Sequence, residues 1–252
     1  MKSYGLIGFP LKQSFSQKYF TEKFSSLNID AEYLNFSIPS VVEITDIINN
    51  TPTLQGFNVT IPYKKDIIPF LDELDETAEQ VGAVNVVKIK RDNGIIKLKG
   101  FNSDVIGFEN SLKKYLTPKH KKALILGTGG ASLAVEFSLK RLGIEYLFVS
   151  REPKNSKTIS YQQIDKELLA SHTLIINSSP LGMFPNIETA PEIPYNHLTA
   201  NHLLYDLVYN PPITKFMELG LTNGAKAVNG LEMLHGQAEE AWSIWNNDSN
   251  FR

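Results

Sequence analysis

The sequence predicts an α/β protein of two domains: an N-terminal, mostly parallel α/β domain and a doubly wound dinucleotide-binding domain, separated by a cleft. Three observations predict it. Strand-like apolar runs alternate with helix-like segments in the first half, and a βαβαβ order implies parallel pairing. An apolar run at 123–126 leads straight into Gly127, Gly129 and Gly130, then into a helical segment at 131–142 and a second strand at 146–149. That succession of strand, glycine turn and helix is the arrangement that holds a dinucleotide pyrophosphate. Third, 117–122 (TPKHKK) is a polar, proline-containing connector. The first domain is expected over 1–103, completed by a final helix at 230–252, and the second over 104–229.

Composition narrows the function classes. A chain of 252 residues with 42% hydrophobic and 21% charged residues can bury a sizeable core. A net charge of −2 argues against a general binder of nucleic acid or anionic membrane. There is no cysteine, which excludes disulfides, thiolate catalysis and cysteine zinc sites. The five histidines are scattered without an HxxxH pair or an acidic cluster, so no metal is expected. No GxSxG elbow is present. The opening MKSYGLIGFP has no long apolar core, and a cytoplasmic location is expected.

Taken in order, 4–8 reads as a strand that Pro10 ends, and 17–27 as a helix with Tyr19, Phe20, Phe24 and Leu27 roughly on one face. Ser14 and Ser16 precede that helix. One of them can cap it, or both hydroxyls can bind an anionic group such as a carboxylate. A strand (32–38), a helix (40–49) and a third strand (56–60) follow, and Pro62 suits the first turn of a further helix opening at Ile61. Lys64 would then sit at the positive end of a helix, where a cation is disfavoured and proton transfer is eased; otherwise it is one of two solvated lysines. Strands at 83–90 and 95–99 flank Asp92-Asn93-Gly94, a hairpin signal. Asp104 opens the helix 105–116, as a cap or as a functional carboxylate.

In the second half, Gly127 allows the tight turn, Gly129 lets backbone approach phosphate, and the helix N-terminus offers N–H groups. Ser132 stands at the third glycine position. Where an NAD-selective fold places an acidic residue, this chain has Ser150 and Arg151, and a guanidinium suits a 2′-phosphate. Lys154 adds charge, and Glu152 must turn away. The strand 173–177 runs into 178–183, a loop at a strand's C-terminal end, where ligands lie in open α/β sheets. A fourth strand (203–209), a helix (214–219), a short fifth strand (225–228) and a helix to about residue 246 complete the chain.

These motifs together resemble the shikimate dehydrogenase family. The resemblance runs from Gly5 to about Trp245 and rests on Ser14 and Ser16, Asn58-Val59-Thr60-Ile61-Pro62-Tyr63-Lys64, Gly82-Ala83-Val84-Asn85 and Asn102-Ser103-Asp104. It continues through Gly127 to Ser132, Asn177 to Met183, Asp206 to Asn210, and Asn229 to Gln237. The resemblance implies a Rossmann-type second domain and reversible NADP(H)-dependent reduction of 3-dehydroshikimate to shikimate. It implies Lys64 and Asp104 as a catalytic pair, and Ser14, Ser16, Asn58, Thr60, Asn85, Tyr209 and Gln237 around the substrate. For the cofactor it implies Gly127, Thr128, Gly129, Gly130 and Ala131 at the pyrophosphate, and Ser150, Arg151 and Lys154 at the 2′-phosphate. Asn177, Ser178, Met183, Val208 and Gly230 would lie on the nicotinamide side. The chain departs from the family pattern at Gln17, where a proline is common, at Ser103 for threonine, and at Glu232, where a glycine commonly lies beside the nicotinamide. A monomer or homodimer with a small-molecule substrate is expected. The alternatives are an NAD-using quinate/shikimate dehydrogenase and a non-catalytic ligand sensor of the same fold.

Overall fold

The computed structural model describes residues 1–11, 14–153 and 155–247. The chain forms two compact units: one is Met1–Ser103 together with the chain from Gln237 onward, the other Asp104–Gly236.

The first unit begins with β1 (Lys2–Gly8), α1 (Phe15–Ser26) and β2 (Ala31–Ser37). A single 3-10 turn leads into α2 (Ile44–Asn50), followed by β3 (Leu54–Val59), β4 (Glu73–Leu74), α3 (Glu76–Val81), β5 (Val86–Asp92) and β6 (Ile95–Phe101). Its six strands lie in the order β2-β1-β3-β5-β6-β4. β1 pairs in parallel with β2 and β3, as the βαβαβ order requires. The β5–β6 hairpin makes the rest of the sheet mixed, because a two-residue turn joins only antiparallel neighbours. Asn93 and Gly94 form that turn with φ of 48° and 82°, the left-handed pair that an Asn-Gly hairpin needs. One sheet face packs Ile7, Ile44, Phe57 and Ile67; the other packs Tyr4, Phe20, Phe24 and Trp245.

Residues 61–67 are where local expectation fails. No α-helix opens at Ile61: the segment runs in successive turns into a short 3-10 helix, Ile68–Phe70. Its bonds are mostly of the tighter type, such as Tyr63 N–H to Thr60 C=O (3.0 Å) and Ile68 N–H to Lys65 C=O (3.1 Å). Pro62 and Pro69 both lack an N–H, so an α-helix over this stretch would miss a ladder bond at Pro69. The helix-end argument for Lys64 therefore does not apply. Instead, Tyr63 and Ile67 are buried and pin the segment, leaving Lys64 half-buried between them.

The second unit begins with α4 (Ser103–Leu112), whose first residue closes the first unit. It continues with β7 (Lys122–Leu126), α5 (Gly130–Arg141), β8 (Glu145–Val149), β9 (Thr158–Ile159), α6 (Lys166–Ser171), β10 (Leu174–Asn177) and β11 (Leu203–Asp206). α7 (Lys215–Thr222), β12 (Lys226–Val228) and α8 (Leu231–Asn246) complete it. The sheet is all parallel, in the order β9-β8-β7-β10-β11-β12. This is the doubly wound arrangement, with the order reversing between β7 and β10. Ala123, Leu124, Ile125 and Leu126 are all fully buried, as a central strand covered on both faces must be.

The return to the first unit falls inside α8, at Gln237, and not at 230 as expected. Met233 still packs in the second unit's core with Phe108 and Leu139, and Glu232 pairs with Lys114, just past the end of α4. No described helix is long and apolar enough to cross a membrane.

Candidate active site

In the first unit, side chains of β2 and β3 and of the residues around the start of α1 form two hydrogen-bonded groups. Ser14 is the N-cap of α1: its hydroxyl accepts from Gln17 N–H (3.1 Å) and donates to Asn35 Oδ1 (3.1 Å). Of the two serines, Ser14 is thus the one that caps the helix, with its hydroxyl proton directed at Asn35. Asn35 in turn donates to Gln17 Oε1 (2.8 Å), a use for the residue that departs from the family pattern. Ser16 hydrogen-bonds Tyr33, whose hydroxyl donates to Asn58 Oδ1 (2.7 Å). Burial holds the Tyr33 hydroxyl well above the ordinary phenol range, so it remains a donor. Asn58 donates to the Asn85 carbonyl (3.2 Å), and Asn85 continues the network through Nδ2 to Ser103 Oγ (3.0 Å).

The same short stretch anchors the backbone of the two candidate catalytic residues. Val84 N–H donates to the Lys64 carbonyl (2.7 Å), and Ser103 N–H donates to Asn85 Oδ1 (2.7 Å) immediately before Asp104. Val84-Asn85 thus sets both chain positions. Asp104 is buried, in the first turn of α4. Thr60 follows β3 and donates its N–H to Ile7 C=O (2.9 Å). Gln237 lies on α8, in the part of the helix that belongs to the first unit.

In the second unit, the C-terminal ends of β7, β8 and β10 surround a cavity of about 730 Å3. Gly127, Thr128, Gly129, Ser150, Arg151 and Ser178 line it, all of them expected at the cofactor. Gly127 has φ of 109°, a conformation that favours glycine, and a Cβ there would come within 3.2 Å of Ser178 Oγ. Gly129 is the N-cap of α5, and Gly130 and Ala131 begin its first turn. Around Gly129 and Gly130 a Cβ would meet nothing within 4 Å, so backbone is open to a phosphate. Ser132 is buried and donates to Gly129 C=O (2.6 Å), which satisfies its hydroxyl at a position that usually holds glycine. These residues fit a dinucleotide, with an exposed guanidinium at the wall where a 2′-phosphate would lie.

Other expected cofactor residues act differently. The Asn177 side chain is fully buried and turned into the fold, donating to Asp206 Oδ1 (2.9 Å) and Leu181 C=O (3.3 Å). Every polar atom of its amide is thus used internally, its Oδ1 accepting from Ser179 N–H (3.1 Å) and Ser179 Oγ (2.6 Å). Val208 N–H donates to Asp206 Oδ1 (3.0 Å) and its carbonyl accepts from Gly230 N–H (3.1 Å). A Cβ at Gly230 would collide with the Leu207 carbonyl, which explains the glycine as close backbone packing. Met183 and Tyr209 are exposed by 47% and 37%, on the loops after β10 and β11. Burial nonetheless raises the Tyr209 hydroxyl above its ordinary range. Glu232 is turned to the segment just after α4, where it pairs with Lys114 and accepts from Tyr115 (3.3 Å). Lys154 lies outside the described residues.

Sequence reasoning missed Tyr33 and Asn35, although two polar-tipped residues at a spacing of two on one strand face were a usable signal. It also missed Tyr161 and Glu192, which line the nucleotide cavity, and had no local signal for them. Among the described residues no group of three or more His, Cys, Asp or Glu could hold a metal.

The chain matches the model of the shikimate dehydrogenase substrate binding domain over residues 6–87. It is 36% identical to the NADP(+) shikimate dehydrogenase of Methanosphaera stadtmanae, over 96% of this chain and 90% of that protein. The chorismate mutase/shikimate 5-dehydrogenase fusion protein from Clostridium acetobutylicum superposes with a TM-score of 0.86 at 34% identity, covering 97% of this chain and 91% of that one. Shikimate 5-dehydrogenase from Thermus thermophilus, solved in complex with NADP(H) and shikimate, superposes with a TM-score of 0.83 at 27% identity, covering 98% and 94%. Similarity that runs through both units at this level places the chain in the shikimate dehydrogenase family.

Proposed function

We propose that this protein is a cytoplasmic, NADP-dependent shikimate dehydrogenase that interconverts 3-dehydroshikimate and shikimate. The observation that carries the reading is the pairing of two features within one family member. A glycine-loop cavity has Arg151 on its wall, Val84 N–H holds the Lys64 backbone, and a network running from Ser16 to Ser103 ends at the residue before Asp104.

NADPH, when bound, supplies the hydride that reduces the ring carbonyl. Lys64 donates a proton to the oxygen on which charge develops, and accepts it in the reverse direction. Asp104 orients the Lys64 amine and the neighbouring hydroxyl. Ser14 and Ser16 bind the substrate carboxylate; Asn58, Thr60, Asn85, Tyr209 and Gln237 hydrogen-bond the ring hydroxyls and carboxylate. Tyr33 and Asn35 hold the serine hydroxyls and Asn58 in position.

Arg151→Ala tests the cofactor assignment. A charge-assisted bond to phosphate contributes about 2 kcal/mol, so KM for NADP should rise about 30-fold while KM for NAD is unchanged. Steady-state kinetics with both cofactors reads this directly. An equal effect on the two would remove Arg151 from the 2′-phosphate and favour the NAD-using alternative.

A further inference from the structure

We infer that Asp206 is a positioning residue for the nicotinamide end of the cofactor site, because it ties together the two loops that form it. The inference rests on the functional reading above and adds to it a residue that touches neither cofactor nor substrate.

Asn177 and Asp206 are register partners, the last residues of the adjacent parallel strands β10 and β11. Each strand ends there and releases a loop: 178–183 after β10, and 207–213 after β11. The Asp206 side chain is completely buried, and three donors converge on it. Asn177 Nδ2 (2.9 Å) and Val208 N–H (3.0 Å) reach Oδ1, while the Thr214 hydroxyl reaches Oδ2 (2.5 Å). The Thr214 oxygen also caps α7, accepting from Met217 N–H (3.3 Å). Asn177 passes the constraint to the other loop, since its Oδ1 accepts from Ser179 N–H (3.1 Å) and Ser179 Oγ (2.6 Å). The loops are laced again further out, where Phe184 N–H donates to the Asn210 carbonyl (3.2 Å).

The arrangement makes chemical sense only with an acceptor at the centre. Three donors aimed at one buried group need a carboxylate or an amide oxygen, and an apolar side chain would leave all three unpaired. Burial pushes the Asp206 carboxyl up to about 6, so at neutral pH and above it is the acceptor that these donors require. Met183, Val208 and Tyr209 depend on this hub for their placement, and hydride transfer loses about 100-fold for a misplacement near 1 Å.

The test separates positioning from general loss of structure. Asp206→Ala, Asp206→Asn and Thr214→Val are compared with wild type by thermal melting, by steady-state kinetics, and by calorimetric titration with NADP+ and with 2′,5′-ADP. The latter carries the adenosine half and 2′-phosphate but no nicotinamide. Asp206→Ala is expected to lower kcat/KM for NADP about 100-fold, and to weaken NADP+ binding while 2′,5′-ADP binding stays within twofold. Asp206→Asn should restore most of the activity, because its amide oxygen keeps two donors and the Thr214 hydroxyl can turn to accept from the amide nitrogen. Thr214→Val, which keeps the carboxylate, should fall between and serves if Asp206→Ala does not fold. Equal weakening of both ligands, unchanged kinetics, or an Asn variant as impaired as the Ala variant would overturn the inference. An inactive wild type would strike the functional reading instead, and the two titrations would still test the hub.

Discussion

Replacing Lys64 with alanine is expected to lower kcat for shikimate oxidation about 1,000-fold while KM for shikimate changes far less. Removing a general acid–base group forfeits a factor of about 100 to 10,000. The substrate hydrogen bonds assigned to Ser14, Ser16, Asn58 and Asn85 involve other side chains and remain. The variant should fold normally, because the backbone of this segment is held by Tyr63 and Ile67 in the core and by the Lys64 carbonyl bond from Val84. Steady-state kinetics in both directions, with circular dichroism as the control for folding, checks the prediction. A loss below tenfold would remove Lys64 from the chemistry. A large rise in KM at constant kcat would make it a binding residue.

Trp245→Ala should destabilise the first unit by about 4 kcal/mol, in the range for truncating a large buried aromatic. The Trp245 ring is 4% exposed, lies 4.8 Å from Tyr4 and 5.3 Å from Phe20 between centroids, and donates its indole N–H to the Val87 carbonyl (3.1 Å). Gly56 of β3 provides the room, since a Cβ there would overlap the indole. With Ala238, Ala241 and Ile244, this side chain packs α8 against the sheet, and α8 also carries Gln237. Denaturant unfolding followed by far-UV circular dichroism reads the loss of stability. KM for shikimate should rise as well, because a loosened helix misplaces Gln237. A change under about 1 kcal/mol would show that α8 is held mainly by its other contacts.

The parts of the fold legible in the sequence were those set by short-range physics. Asn93-Gly94 specifies a two-residue hairpin by backbone conformation alone, and Gly127 to Gly130 between an apolar strand and a helix specifies the loop at the sheet's switch point. α3 carried equally local signals, with Asp75 capping Ala78 N–H (2.9 Å) and Gly82 closing the helix. Its period is not visible in the sequence, because only Ala78 and Val81 are buried. In the 61–67 segment Pro62 suits a helix start, but Pro69, seven residues on, disfavours an α-helix over the stretch.

For the site, residue type alone leaves Ser14, Ser16, Lys64 and Asp104 open between structural and functional readings, the resemblance is what implies their roles, and neither says what each side chain touches. The resemblance implies Asn177 on the nicotinamide side, and nothing local shows where its side chain points. Its burial and its bond to Asp206 exist only once β10 and β11 are side by side. Tyr161 and Glu192 reach the nucleotide cavity from segments more than thirty residues away from Gly127, so no spacing rule points to them.

The decisive experiment follows the wild-type protein's own turnover at the nicotinamide absorbance, with shikimate or quinate and each with NADP+ or NAD+. Shikimate with NADP+ is expected to give the highest kcat/KM of the four combinations. A preference for quinate with NAD+, or no turnover in any of the four, would contradict that expectation.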